Sequence, residues 1–319
     1  MEKDEMKDEL LAIAAMLFDE GRVEHFLGYK KGTVKFKARP LIARSKEDLQ
    51  DLWVEDFFTP NLTLYLKEIK GRVGILVKGC DSRSLVSLLK EGQVKREDLY
   101  VVGIPCPGQI DLRKVENAGA GEPEDLEEIS RRGMEILIRA SGQERTLQKS
   151  QAFLDKCIAC QYPKPLVFDA LLPGEYVAPL PEPRPPEDAL RKKTVPEKWA
   201  FWAEQFERCI RCYACRNVCP ACFCPRCLVE ENLPQWVSPL PLGGDNFVFH
   251  MMRMMHVAGT CVSCGECERV CPMEIPLMKL NEKMADDLRE LFDFVAGVDL
   301  NVPLPFRTFS QEDANDFIK

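Results

Sequence analysis

The chain has 319 residues, 45% hydrophobic and 29% charged, with a net charge of −8 at pH 7. That balance is globular and leaves room for two domains, and its acidity argues against a nucleic-acid footprint. No apolar run is long enough to cross a bilayer, and the opening MEKDEMKDELLAIAAML carries acids where a secretory signal carries bases, so a cytoplasmic location is expected. Fifteen cysteines in a reducing compartment argue for metal binding rather than disulfides, and their odd number and CxxC clustering point the same way.

In the N-terminal half, Leu10, Ile13, Ala14, Leu17 and Phe18 recur at helical spacing. They predict an amphipathic helix over residues 5–18 that stops at Gly21. Residues 32–39 alternate, with Val34, Phe36 and Ala38 opposite Lys35, Lys37 and Arg39, predicting a half-buried strand. Residues 45–58 predict a helix capped by Ser45. The run VGILV at 73–77 suits a strand buried on both faces. Asp81 or Ser82 then caps a helix over 83–90, and a second apolar run at 100–104 closes a βαβ unit with parallel strands.

Open α/β sheets collect ligands at the carboxyl ends of their strands, and that edge receives Cys80 and Cys106. A mixed-charge helix is expected around residues 123–140, ahead of the CxxC pair Cys157 and Cys160. Cys80, Cys106, Cys157 and Cys160 are therefore the candidate thiolates of one [4Fe–4S] cluster. The alternative keeps Cys80 and Cys106 as buried thiols and leaves only the CxxC pair to bind. Residues 173–196 hold five prolines between 179 and 186 and read as an extended linker.

Beyond the linker, residues 199–207 predict a helix leading into CIRCYACRNVC, Cys209 to Cys219, with Pro220 directly after. The pattern returns as CVSCGECERVC, Cys261 to Cys271, followed by Pro272. CxxCxxCxxxCP is the run of bacterial ferredoxins, in which the fourth cysteine serves the other cluster of a pair. The crossed assignment gives Cys209, Cys212, Cys215 and Cys271 to one cube and Cys261, Cys264, Cys267 and Cys219 to the other. Uncrossed ligation is the alternative. Cys222, Cys224 and Cys227 are left over, as structural thiols or as part of a further metal site. Residues 245–257 predict a helix whose Met and His residues read as core filling, since no CxxCH accompanies them as haem attachment requires. A last amphipathic helix is expected over 277–295, ahead of an irregular tail at 296–319.

Three stretches, VGILVKGCDSRSLVSLL, YVVGIPCPG and KCIACQYPKPLVFDALLPG, resemble the beta-subunit family of coenzyme F-420 hydrogenase and dehydrogenase. The likeness covers roughly residues 70–175. It implies a [4Fe–4S] site at Cys80, Cys106, Cys157 and Cys160, and the family also binds a flavin, so FAD is an implied cofactor. The chain shows no glycine-rich dinucleotide fingerprint and no identifiable flavin site. The C-terminal half is similar to the helical two-cluster ferredoxin modules of heterodisulfide reductases.

The expected organisation is an α/β domain at 1–172 with a small parallel sheet, the linker, a mainly helical dicluster ferredoxin domain at 197–295, and the tail. The expected function is an iron–sulfur electron-transfer subunit of an anaerobic oxidoreductase complex. Its partners would be a hydrogenase, formate dehydrogenase or flavoprotein subunit and a heterodisulfide-reductase-like acceptor. The competing readings are a flavin-containing subunit that itself reduces or oxidises F-420 or a nicotinamide, and a zinc-stapled interaction module.

Overall fold

The computed structural model describes residues 2–54, 59–122, 124–133, 135–158, 160–174 and 190–306. Contacts divide the chain into two compact units, one of Met1–Ser82 with Lys95–Pro186, the other of Arg83–Val94 with Glu187–Lys319. Most of the proline-rich stretch lies outside the described residues. So does the end of the tail. Among the described residues no helix is long and apolar enough to cross a membrane.

The first unit opens with helix α1 (Glu2–Asp19), whose Leu10, Ala14 and Leu17 are fully buried as their spacing requires. A five-stranded sheet follows in the order β2-β1-β3-β4-β8. The hairpin of β1 (His25–Lys31) and β2 (Ala38–Ala43) is antiparallel. Strand β3 (Val73–Val77) lies parallel to β1 and to β4 (Leu99–Gly103). Every residue of β3 is buried, which is why its sequence shows no alternation. Helix α2 (Gly79–Lys90) leaves β3 and completes the expected βαβ unit.

Local boundaries depart from expectation in three places. The alternating stretch 32–39 straddles the hairpin turn, where Phe36 takes φ 57°, so the strand residues fall on either side of it. Over 45–54 there is only a short 3-10 turn at Glu47–Asp51, because the Trp53 N–H donates to the Tyr29 carbonyl at 2.9 Å and draws the chain onto the sheet; residues 55–58 lie outside the described set. Helix α2 begins four residues earlier than expected. Asp81 sits in its first turn and accepts from the Lys78 backbone N–H at 3.1 Å.

A short helix α3 (Leu112–Asn117) precedes the largest correction. The stretch expected to be a mixed-charge helix is a three-stranded antiparallel sheet, β5 (Leu126–Arg132), β6 (Glu135–Ala140) and β7 (Gln143–Gln148). Its turns pass through Gly133 and Gly142 at φ 63° and 73°, conformations glycine adopts without penalty. Ile136, Ile138 and Ala140 join Ile110, Leu112 and Phe153 in one core cluster, which the short helices α4 (Lys149–Ala152) and α5 (Asp155–Ile158) complete. Strand β8 (Ala170–Leu171) then adds to the main sheet, parallel to β4.

The second unit is helical: α6 (Val195–Glu207), α7 (Ala214–Asn217), α8 (Gly243–His256), α9 (Glu266–Arg269) and α10 (Leu277–Phe292). Its core mixes Phe206, Phe249, Ile275 and Leu277 with Cys215 and Cys267. Arg83–Val94, most of helix α2, clusters with this unit. Arg83 donates to the Val262 carbonyl at 3.1 Å and the Ala296 carbonyl at 2.6 Å, and Lys90 donates to the Asp299 carbonyl at 2.9 Å.

Candidate metal centres

The two cysteine runs fold alike. In each, the residues on either side of the middle cysteine take left-handed backbone conformations: Arg211 and Tyr213 at φ 48° and 59°, Ser263 and Gly265 at φ 56° and 71°. Three of these four are not glycine, so the geometry costs about 1–3 kcal/mol per position and persists only where its surroundings enforce it. The turns swing backbone N–H groups inward, as successive amides do around a bound anion. The Arg211 N–H reaches Cys209 Sγ at 3.4 Å, and the Ser263 N–H stands in the same relation to Cys261. One turn of helix follows in each run, α7 or α9, and carries the third cysteine, Cys215 or Cys267, into the core.

Two hollows result. The first, of about 330 Å³, is lined by Cys209, Cys212, Cys215 and Cys271 together with Phe249 and His250. The second, also about 330 Å³, is lined by Cys219, Cys261 and Cys264, with Ser84, Ser87 and Leu88 of α2 forming its wall. Cys267 lies close to Cys219 and Cys261 and accepts an amide hydrogen of Asn281 at 3.6 Å. Each gathering thus takes thiols from both runs.

Electrostatics bear on what those thiols are. Burial pushes Cys215 and Cys261 up to about 11 and Cys267 to about 12, although Arg253 pulls each of them back. Arg253 is itself buried, and among the described residues no carboxylate pairs with it. Its Nη2 donates to the Cys215 carbonyl at 3.1 Å, and the groups around it that can carry negative charge are Cys219, Cys267, Cys222 and Cys215. A buried cation without a counter-charge is costly. Thiolates held on a metal supply one, since a coordinating thiol is deprotonated outright. Four soft sulfur donors around a hollow, with inward N–H groups and a buried cation, fit an iron–sulfur cube. Among the described residues no three His, Cys, Asp or Glu side chains converge as they would on a single ion. A cube holds its thiols farther apart than one ion does.

In the first unit Cys106 follows β4, Cys80 begins α2, and Cys157 lies in α5. Cys106 is a charge neighbour of both Cys80 and Cys157, and Cys160 is a neighbour of Cys157. Gln109 ties two of them: its side-chain amide donates to Cys106 Sγ at 3.4 Å and its backbone N–H serves Cys157. Burial pushes Cys157 up to about 12 and raises Cys80 strongly; Lys156 opposes both, as does Lys78 at Cys80. A Cβ at Gly79 would stand 1.7 Å from the Tyr162 carbonyl oxygen, so the segment after Cys160 reaches Cys80 only over a glycine. Beneath Cys80, Lys78 and Asp81 form a buried ion pair at 2.7 Å, joined by the Tyr29 hydroxyl.

The three leftover cysteines separate. Cys222 hydrogen-bonds to Cys219, which holds the Cys219 thiol below its ordinary range against its burial. Cys227 neighbours Arg216, which also pairs with Glu230 at 2.9 Å, and Cys224 is exposed. Sequence reasoning missed the polar side of α8: Asn246, His250 and Arg253, spaced i, i+4 and i+7, are all buried. Asn, His and Arg at helical spacing among apolar neighbours were the available signal.

No family model matches the chain. The beta subunit of the F-420-dependent formate dehydrogenase of Methanocaldococcus jannaschii is 23% identical over 354 aligned positions, covering 92% of this chain and 92% of that protein. The beta subunit of F-420-dependent formate dehydrogenase 1 of Methanococcus maripaludis is 26% identical over 370 positions, covering 95% and 94%. Among solved structures, a chain of the F-420-reducing [NiFe] hydrogenase complex from Methanosarcina barkeri matches with a TM-score of 0.39 at 16% identity, over 48% of this chain and 59% of that one, a likeness that carries no argument. The similarity in sequence runs well past the 70–175 stretch, so both units fall within it. By sequence the chain is similar, over nearly its whole length, to beta subunits of F-420-dependent formate dehydrogenases.

Proposed function

We propose that the chain is an iron–sulfur electron-transfer subunit of an F-420-linked oxidoreductase complex, working beside a formate dehydrogenase or hydrogenase subunit. The observation that carries this is the pair of thiol-lined hollows in the second unit, each drawing cysteines from both runs. Cys209, Cys212, Cys215 and Cys271 would hold one cube, and Cys261, Cys264, Cys267 and Cys219 the other. Cys80, Cys106, Cys157 and Cys160 would hold a third. A cube so ligated exchanges single electrons at a potential set by burial, charge and hydrogen bonds to sulfur.

The chain's own residues prepare those terms. The Arg211 and Ser263 amides and the Asn281 side chain donate towards ligand sulfurs. Phe249 and the apolar core keep water from the inner ligands Cys215 and Cys267. Gln109 orients Cys106 and Cys157. The relatives' names support the partner class, a formate dehydrogenase.

The test is anaerobic purification with iron, acid-labile sulfide, zinc and flavin counted per chain. Three cubes predict about twelve irons with matching sulfide. Replacing Cys80 or Cys157 with Ala is expected to remove about four of them while sparing the second unit's pair. Unchanged iron in both variants rules out the N-terminal cluster. Zinc without sulfide overturns the whole reading, and stoichiometric flavin moves it to a subunit that itself exchanges hydride.

A further inference from the structure

Helix α8 turns an unusual face inward. Asn246, His250 and Arg253 occupy one stripe of the helix, one turn apart, and all three are buried. Polar groups taken out of water need partners. Asn246 has them: its amide donates to the Phe206 carbonyl at 2.9 Å and the Cys209 carbonyl at 2.7 Å, and its carbonyl oxygen accepts from Arg211 Nε at 3.0 Å. It pins the start of the first cysteine run to the helix. The other two are unfinished. Neither ring nitrogen of His250 has a hydrogen-bond partner among the described residues, and neither does Nε of Arg253.

Both adjoin the gathered cysteines. His250 is 2% exposed, stacks on Phe206 with ring centroids 4.5 Å apart, and lines the hollow bounded by Cys209, Cys212, Cys215 and Cys271. An imidazole carries at least one N–H whatever its protonation state. Arg253 meets thiols of both gatherings, Cys215 on one side and Cys219 and Cys267 on the other.

We propose that this stripe of α8 sets the reduction potentials of the second unit's two clusters, His250 by donating its N–H to a sulfur of the cluster at Cys209, Cys212, Cys215 and Cys271, and Arg253 as a cation shared by both. The proposal rests on the clusters being present and adds which of the chain's side chains act on them. Reduction adds negative charge to a cube. A hydrogen bond to sulfur and a buried cation both favour that form, and so raise the potential.

His250→Phe keeps the stacked ring and removes the donor. We expect the potential of one cluster to fall, with about a tenfold lower reduced-to-oxidised ratio at a fixed poise, or about 59 mV for a one-electron couple. Arg253→Met lowers both clusters. Arg253→Lys restores most of the loss, a rescue that a purely packing role would not give. The measurement is an EPR-monitored redox titration of the full-length protein, with iron and sulfide counted in each variant. Full iron with unmoved potentials overturns the proposal and leaves the cluster assignment standing, whereas protein without sulfide overturns the assignment itself.

Should His250→Phe fail to assemble, the unaltered protein still decides the matter. It has three histidines, His25, His250 and His256, and only His250 lies in the hollow. Pulsed EPR of reduced, nitrogen-15-histidine-labelled protein should show a weak nitrogen coupling and an exchangeable proton. No histidine coupling, or one strong enough for a nitrogen bound to iron, refutes the hydrogen bond.

Discussion

At the scale of single residues the first unit holds its sharpest energetic commitment in Lys78 and Asp81, with side chains 1% and 0% exposed. Burial drives the Lys78 ammonium towards neutrality, but Asp81 first and then Cys80 outweigh it and hold the group above its ordinary range. The ammonium is bound by Asp81 at 2.7 Å, by the Pro60 carbonyl at 3.1 Å and by the Tyr29 hydroxyl. Asp81→Ala strands that charge and should cost about 3–5 kcal/mol in denaturant unfolding. The double variant Lys78→Met with Asp81→Leu should recover most of the loss, because apolar residues can replace a buried ion pair nearly neutrally. A double variant no more stable than Asp81→Ala would show that the pair itself matters. Gly79→Ala is expected to act differently, through the Tyr162 carbonyl oxygen 1.7 Å from the added methyl. The clash displaces the segment after Cys160, so iron at the proposed N-terminal cluster should fall while the far-ultraviolet spectrum stays close to that of the parent.

At the scale of elements, local chemistry decided what could be read in advance. The likeness of the two cysteine runs was legible because their cysteine spacing and CP step repeat within a dozen residues, and βαβ was legible because β3 is an unbroken apolar run. The sheet at 126–148 was not. Its central strand β6 buries Ile136, Leu137 and Ile138 in succession, so the alternation that marks a strand is lost and the surrounding charges imitate a helix face. Gly133 and Gly142 were the overlooked signs, each at a turn with positive φ. The stripe on α8 was hidden for the opposite reason: its pattern is helical, but the buried side is the polar one. Helix α6 offers a test of its own start. The Thr194 backbone N–H and hydroxyl donate to Glu197 at 2.8 and 2.6 Å. The Thr194 hydroxyl, its largest cause, holds the Glu197 carboxyl below its usual range. Because the folded value is depressed, this support is present above the unfolded carboxylate value and is lost as pH falls through the folded one. Amide exchange in the first turn of α6 should therefore quicken on acidification. In Thr194→Val it should be fast and show no such pH step.

For the whole molecule, the two units differ in what holds them. The first has a five-stranded sheet and a fully apolar strand at its centre. The second places Cys215 and Cys267 inside its main hydrophobic cluster, so two of its proposed ligands are also part of its core. Metal binding of that kind contributes directly to folding. Chelating or oxidatively removing iron should raise amide exchange across α7–α10 far more than in β1, β3 and β4. Equal loosening in both units would mean that the second does not depend on the proposed metal.

Residues 83–94 belong by contact to the second unit, although residues 95–186 return the chain to the first. Ser84, Ser87 and Leu88 from that segment wall the hollow at Cys219, Cys261 and Cys264. The division into units therefore does not follow a single cut along the sequence. A gene cut within the proline-rich stretch would deliver a cysteine-rich fragment missing one wall of that hollow. Anyone seeking to express the second unit by itself must carry residues 83–94 with it.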